Sequence, residues 1–269
     1  MAEVLDFEKP EAAPDEPQTA APDEYGFVRT ATAERILLTL NFVRSLPGPQ
    51  MSMICGVTGV GKTRALLHYL QTYGQSAMYL SVAKGEGNPD PLSTAIKAQF
   101  SAGGMPIKDW RNLTERRIEC GQLIGPDRIL LVDESQNLLQ RNKATATKGA
   151  GFGWLSAMAT EIGFDLVFCG NMTLPTIKAD FPDLRDRMRW PVIIKASTRA
   201  DVVAIARAMS IVEHAAVSLL VGVAQVHGGL RKVEDVVLGA RPIFGSAVPT
   251  AAELKETVLR MGLDTKGGA

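Results

Sequence analysis

Cysteine is scarce. Cys55, Cys120 and Cys169 are the only three in 269 residues. Their spacings match no zinc site, and three cysteines cannot close a disulfide framework. Cys55 and Cys169 fall in apolar runs and read as small core residues, so the expected compartment is the reducing cytosol. Long hydrophobic runs are missing too. The longest, Ala215 to Val226, is too short to cross a bilayer and reads as a buried helix. The N-terminus is acidic and proline-rich, where a secretory leader would carry a positive start and an apolar stretch. The sequence therefore predicts a cytoplasmic protein with no membrane association. Net charge is also lacking, because 29 basic and 29 acidic residues cancel. The balance is uneven along the chain. Eight carboxylates (Glu3, Asp6, Glu8, Glu11, Asp15, Glu16, Asp23, Glu24) against Lys9 leave residues 1–24 at −7 and the remainder at about +7. A mildly basic body suits a polyanionic partner without requiring one.

What is present divides the chain. Residues 1–24 are rich in Pro, Ala, Asp and Glu, and the expectation is a disordered acidic tail. From Tyr25 a helix follows, capped by Thr30 or Thr32 and carrying Ala33, Ile36, Leu37, Leu40 and Val43 on one face. Leu46-Pro47-Gly48-Pro49 ends it. Strands are expected at Met51–Cys55, Ala77–Val82, Arg128–Asp133, Asp165–Cys169 and Val192–Ile194. Between them lie helices at Lys62–Gln71, Leu92–Phe100, Leu113–Ile124, Phe152–Ile162 and Phe181–Met188, with Asn88-Pro89-Asp90-Pro91 read as a loop. After Ser197 the pattern is helical only: Arg199–Met209, Val212–His227, Leu230–Leu238 and Ala251–Met261. Alternating strands and helices imply an α/β three-layer fold with a five-stranded parallel sheet. The expected organisation is a core over residues 25–197, a small all-helical lid over 198–263 and a flexible end at 264–269.

The chemistry starts at Gly56-Val57-Thr58-Gly59-Val60-Gly61-Lys62-Thr63. A strand precedes this run and a helix follows, which is the context a phosphate-binding loop needs. Gly56, Gly59 and Gly61 allow backbone conformations and close approaches that a side chain would block. The loop amides can then point inward and cradle phosphate at a helix N-terminus, extending through Val57, Thr58, Val60 and on to Arg64. Lys62 supplies a point charge to the β- and γ-phosphates, and the Thr63 hydroxyl can ligate Mg²⁺. The expected cofactors are therefore ATP and Mg²⁺.

Four further elements fit this frame. In Arg128-Ile-Leu-Leu-Val-Asp133-Glu134, an apolar strand ends on two carboxylates. Asp133 is placed to hold Mg²⁺ through water, and Glu134 to act as general base on the attacking water. Asn171, in Phe168-Cys169-Gly170-Asn171, can orient that water or touch the γ-phosphate; otherwise it is a turn-forming residue. Arg185, Arg187 and Arg189 cluster before the fifth strand. One can reach a neighbouring subunit's γ-phosphate, or the three form a solvated, partly ion-paired helix end. Arg231, in Gly228-Gly229-Leu230-Arg231, opposes the dipole at a helix start. It either contacts nucleotide from the lid or is an ordinary surface arginine.

In this order the motifs resemble the AAA+ ATPases over about residues 25 to 240. Within that class the chain looks most like the MuB, TniB and TnsC transposition ATPases and the related ExeA-type ATPases. These typically have Asp-Glu-Ala-Gln-x-Leu where this chain has Asp133-Glu134-Ser135-Gln136-Asn137-Leu138. The resemblance implies Lys62 and Thr63 as Walker A, Asp133 and Glu134 as Walker B, Asn171 as sensor 1, Arg187 as the trans arginine finger and Arg231 as sensor 2. It also implies a homo-oligomer, ring or filament, assembling with ATP on double-stranded DNA without strong sequence preference. Such an assembly delivers target DNA to a transposase. A helicase loader, an ExeA-like envelope ATPase and a nucleotide-gated switch are the alternatives. Phage MuB has an N-terminal helix-turn-helix region where this chain has the acidic tail, so DNA contacts are expected from the core. The candidates are Lys84 after the second strand, and Arg141, Lys143 and Lys148 in a basic, glycine-containing loop suited to phosphate contacts.

Overall fold

The computed structural model describes residues 26–101, 112–139, 148–176 and 181–263. The acidic tail, the C-terminal end and the candidate DNA contacts Arg141 and Lys143 lie outside the described residues.

Five parallel strands form one sheet: β1 (Met51–Gly56), β2 (Ala77–Ser81), β3 (Ile129–Asp133), β4 (Asp165–Gly170) and β5 (Val192–Ile194), in the order β2-β3-β4-β1-β5. β1 and β3 are buried along their whole length. Continuous apolar strands of this kind are expected where helices cover both faces of a parallel sheet. The period of two sorts their side chains. Met53, Cys55, Leu130, Val132, Leu166 and Phe168 pack on one face against α3 (Pro89–Ser101), α4 (Leu113–Ile124) and α5 (Ala150–Ile162). Ile54, Ile129, Leu131, Val167 and Cys169 face the other way, onto α1 (Ala31–Ser45) and α2 (Lys62–Tyr73).

Helix boundaries follow their caps. Thr30 is the residue that caps α1, its side chain accepting from the amide of Ala33 at 3.1 Å. Asn112 caps α4 through the amide of Glu115 at 2.9 Å. The stretch from Asn88 to Pro91, expected as a loop, is the first turn of α3, which starts at Pro89. Proline is tolerated there because first-turn amides have no partner inside the helix. A short helix, α6 (Pro182–Arg187), leads into β5.

Beyond β5 the chain is helical: α7 (Arg199–Ala208), α8 (His214–His227), α9 (Gly229–Phe244) and α10 (Ala251–Arg260). These four share a separate apolar core that includes Val202, Ile205, Leu220, Val233, Val236, Val237 and Leu254. α9 runs beyond Leu238, the expected end, through Pro242 to Phe244, which packs against that core. One buried carboxylate ties the helical region to the sheet layer. Asp201, fully buried, accepts from the amide and hydroxyl of Thr32 at 2.9 and 2.8 Å, and from those of Thr198 at 2.9 and 2.8 Å.

Candidate active site

The C-terminal ends of β1, β3 and β4 open into a cavity of about 530 Å³, closed on its far side by α9 and α7. Its wall includes Thr58, Gly59, Gly61, Lys62, Thr63 and Arg64 from the glycine loop and the start of α2. Glu134, Gln136, Gly170 and Asn171 come from the strand ends, and Leu230, Arg231, Glu234 and Asp235 from α9. Phe27, Val28, Thr30 and Ile205 complete the lining. The wall thus combines charged and polar groups, which phosphates require, with apolar surface, which an aromatic base requires.

The loop is a concave turn entering α2. Gly59 and Gly61 have φ of +82° and +91°, a region that glycine occupies without strain. At Gly59 a second constraint applies, because a Cβ there would collide with the carbonyl of Gly228. The Gly59 carbonyl accepts the amides of Leu230 and Arg231 at 2.8 and 3.3 Å. The phosphate loop is therefore clasped, backbone to backbone, by the first turn of α9. Lys62 Nζ donates to the carbonyls of Gly56 and Val57, both at 2.9 Å, which puts the ammonium within the loop's own curve. Arg64 pairs with Glu234 across the gap between α2 and α9.

Asp133 is 1% exposed and accepts from three groups. Thr63 Oγ1 donates to Oδ2 at 2.6 Å, Tyr79 Oη to the same oxygen at 3.0 Å, and the Glu134 amide to Oδ1 at 2.8 Å. Burial first, then the charge of Asp133, pushes the Tyr79 phenol well above its ordinary pKa, so the phenol remains a proton donor. The same two causes raise the thiol of the buried Cys169, leaving it an unreactive core residue. A hydroxyl and a carboxylate side by side next to a phosphate loop fit Mg²⁺. That ion takes one or two protein oxygens and completes its shell with phosphate and water. Among the described residues no group of three or more His, Cys, Asp or Glu forms an all-protein cage.

Glu134 follows at φ +53°, a left-handed conformation uncommon for a non-glycine residue. Its carboxylate accepts from Gln136 Nε2, while Gln136 Oε1 accepts the backbone amide of Asn171 at 3.1 Å. Asn171 reaches the cavity wall, and its Oδ1 accepts from the amide and hydroxyl of Thr173 at 2.9 and 2.6 Å, which forms a turn.

The remaining candidates lie elsewhere. Arg187 is exposed and donates to Thr160 Oγ1 at 3.0 Å. It lines surface recesses away from its own chain's cavity, one of them shared with Asp186 and Arg189. Arg185 pairs with Asp186. Lys84 and Lys148 are both exposed. Their segments are neighbours, since the Gly87 carbonyl lies against Gly151 near the start of α5. The sequence reading missed Tyr79, Gln136, Glu234 and the Phe27–Val28 wall. Only Gln136 had a local signal, its place two residues after Glu134 in the carboxylate motif.

A five-stranded parallel sheet of this order, with a phosphate loop after β1 and a helical region over the strand ends, is the fold of the P-loop AAA+ ATPases. The more particular assignment comes from two family models. An AAA domain matches residues 46–177, and the C-terminal domain of the Mu B transposition protein matches residues 186–251. Residues 46–177 are thus similar to an AAA domain and residues 186–251 to the C-terminal domain of the Mu B transposition protein. No curated protein matches the chain by sequence. Among solved structures, the Aeropyrum pernix ORC2 protein, in ADPNP–ADP complexes, has a TM-score of 0.62 at 15% identity, covering 91% of this chain and 70% of that one. The Aeropyrum pernix ORC1 protein in complex with DNA scores 0.61 at 17% identity, covering 92% and 68%. Drosophila ORC bound to DNA scores 0.58 at 17% identity, covering 99% and 71%. At these identities the likeness is one of fold. Among the described residues no helix is long and apolar enough to cross a membrane.

Proposed function

We propose that this chain is an Mg²⁺-dependent ATPase that assembles as a homo-oligomer on double-stranded DNA and regulates target-DNA delivery to a transposase. The observation that carries the catalytic part is the convergence on one cavity of Thr58, Gly59, Gly61, Lys62, Thr63 and Glu134, with the buried Asp133 bonded to Thr63 behind the wall. Loop amides from Gly56 to Thr63 and the Lys62 ammonium bind the phosphates. The apolar surface of Phe27, Val28 and Ile205 takes the base. Thr63 and Asp133 would hold Mg²⁺, which would neutralise charge on the β- and γ-phosphates. Glu134 accepts the proton of the attacking water, and Gln136 links that carboxylate to the tip of β4. Arg231 stands at the α9 edge of the same cavity, suited to contact nucleotide from the lid over 198–263.

Arg187 stands away from its own cavity. That position suits a group acting on the nucleotide of a neighbouring subunit and is the structural support for an oligomer. The match of residues 186–251 to the Mu B C-terminal domain supports the transposition role over a helicase loader or an envelope ATPase. DNA contact by Lys84 and Lys148 is supported by their exposure on segments that meet where the Gly87 carbonyl lies against Gly151. It also fits the DNA-bound state of two fold relatives.

The test is electron microscopy and ATP turnover with Mg-ATP, with and without plasmid DNA. Rings or filaments formed on DNA support the proposal. Turnover with no DNA association would remove the DNA and transposition roles and leave a P-loop ATPase of another duty.

A further inference from the structure

Asp133 is held from a direction that the phosphate loop does not explain. β2 is the edge strand beside β3, with Tyr79 opposite Leu131, so Asp133 lies two residues further on along the same face. From there Tyr79 Oη donates to Asp133 Oδ2 at 3.0 Å. The same oxygen accepts from Thr63 Oγ1 at 2.6 Å, and Oδ1 accepts from the Glu134 amide at 2.8 Å.

We propose that Tyr79 is a positioning residue for the divalent cation: its hydroxyl locks the Asp133 carboxylate so that Thr63 offers its oxygen, not its proton, to the metal. This rests on the reading of Thr63 and Asp133 as the cation-holding pair. A threonine hydroxyl has one proton and two lone pairs. It can serve a cation only while its proton is committed elsewhere, and here the proton is committed to Oδ2. A carboxylate that rotated or swung away would release it. Donors from α2, from β2 and from the residue following Asp133 together remove that freedom. The placement of the tyrosine ring does not depend on this bond. The ring packs on the apolar cluster containing Leu131 and Ile129, and the Tyr79 carbonyl accepts from Gln99 Nε2 at 2.9 Å. A phenylalanine fills the same place, so what the tyrosine adds is the hydroxyl.

The experiment measures binding of a fluorescent ATP analogue to the full chain, first in EDTA and then across a Mg²⁺ titration. The proteins are wild type, Tyr79→Phe and Asp133→Asn, with thermal melting as the check on folding. For Tyr79→Phe, metal-free affinity stays within about two-fold of wild type. The Mg²⁺ concentration at half-effect rises roughly ten-fold, the scale on which outer partners of metal ligands act. Asp133→Asn moves that midpoint further. A Tyr79→Phe midpoint equal to wild type, with Asp133→Asn shifted, overturns the proposal and leaves the cation site standing. Midpoints unchanged in both variants overturn the cation site and the proposal with it. A loss of metal-free affinity equal to the loss with Mg²⁺ assigns Tyr79 a purely structural part and also overturns it.

Discussion

The sheet delivers its functional groups at strand ends, whereas the helical C-terminal region delivers its own at a single helix start. Asp133, Glu134 and Asn171 stand at or just past the ends of β3 and β4, set by backbone register, and two of them are tied together through Gln136. Gly228, Gly229, Leu230 and Arg231 meet the phosphate loop in one turn, the first two by close approach to Gly59 and the last two through amides that bond its carbonyl. The strand-end groups are fixed by a continuous buried sheet. The α9 groups are fixed by a separate core, joined to the first by the Asp201 clasp and the Gly59 contact. The strand-end carboxylates and Asn171 thus stand on the sheet, and the helical region meets the glycine loop through the start of α9.

That contrast can be broken from either side. On the sheet side, Lys62→Ala removes the charge within the loop. Nucleotide affinity should fall by a hundred-fold or more, about 3 kcal/mol, in a direct binding assay. Glu134→Gln should keep nucleotide binding and reduce turnover by about 10²- to 10⁴-fold, the range for loss of a general base. Turnover near wild type would reassign the base. At the junction, Asp201→Ala leaves the Thr32 and Thr198 donors without their acceptor. It should lower unfolding stability by about 2–4 kcal/mol, read by denaturant titration. A loss confined to the helical region in hydrogen exchange would show the two halves unfolding separately. Glu234→Gln removes the Arg64 pair, whose partners are 58% and 21% exposed. Exposed pairs contribute about 1 kcal/mol or less, so nucleotide affinity should change by only about two- to five-fold. The smallest effect belongs to Glu253, whose carboxyl is held below its ordinary value of 4.5 by the Thr250 amide and then the Ser246 hydroxyl. Its contribution to the cap of α10 is present above that ordinary value and lost as pH falls through the folded one. A pH series on Thr250→Ala should show a weaker acid dependence than wild type.

The same contrast governs what was legible. The phosphate loop, the apolar strand ending in two carboxylates and the switch to helices after Ser197 are local patterns, and each lies where the sequence put it. The loop announces itself because three glycines and a lysine are needed within eight residues. Contacts between distant residues leave no such trace. Tyr79 meets Asp133 across 54 positions and Thr32 meets Asp201 across 169. In sequence Tyr79 reads only as a strand former, and nothing local sets Asp201 apart within its helix. The Gly59–Gly228 contact was hidden for the same reason, although both glycines were visible. The start of α3 was misread because Pro89 and Pro91 suit a loop and a first helical turn equally.

The central claim is that the cavity above β1, β3 and β4 hydrolyses ATP through Glu134 and is coupled to DNA. The most direct measurement is steady-state ATP turnover with Mg²⁺, for wild type and Glu134→Gln, with and without duplex DNA. The account predicts turnover by wild type that changes when DNA is added, and none above background from Glu134→Gln in either condition. Equal turnover by the two proteins, or a wild-type rate indifferent to DNA at every salt concentration, would contradict it.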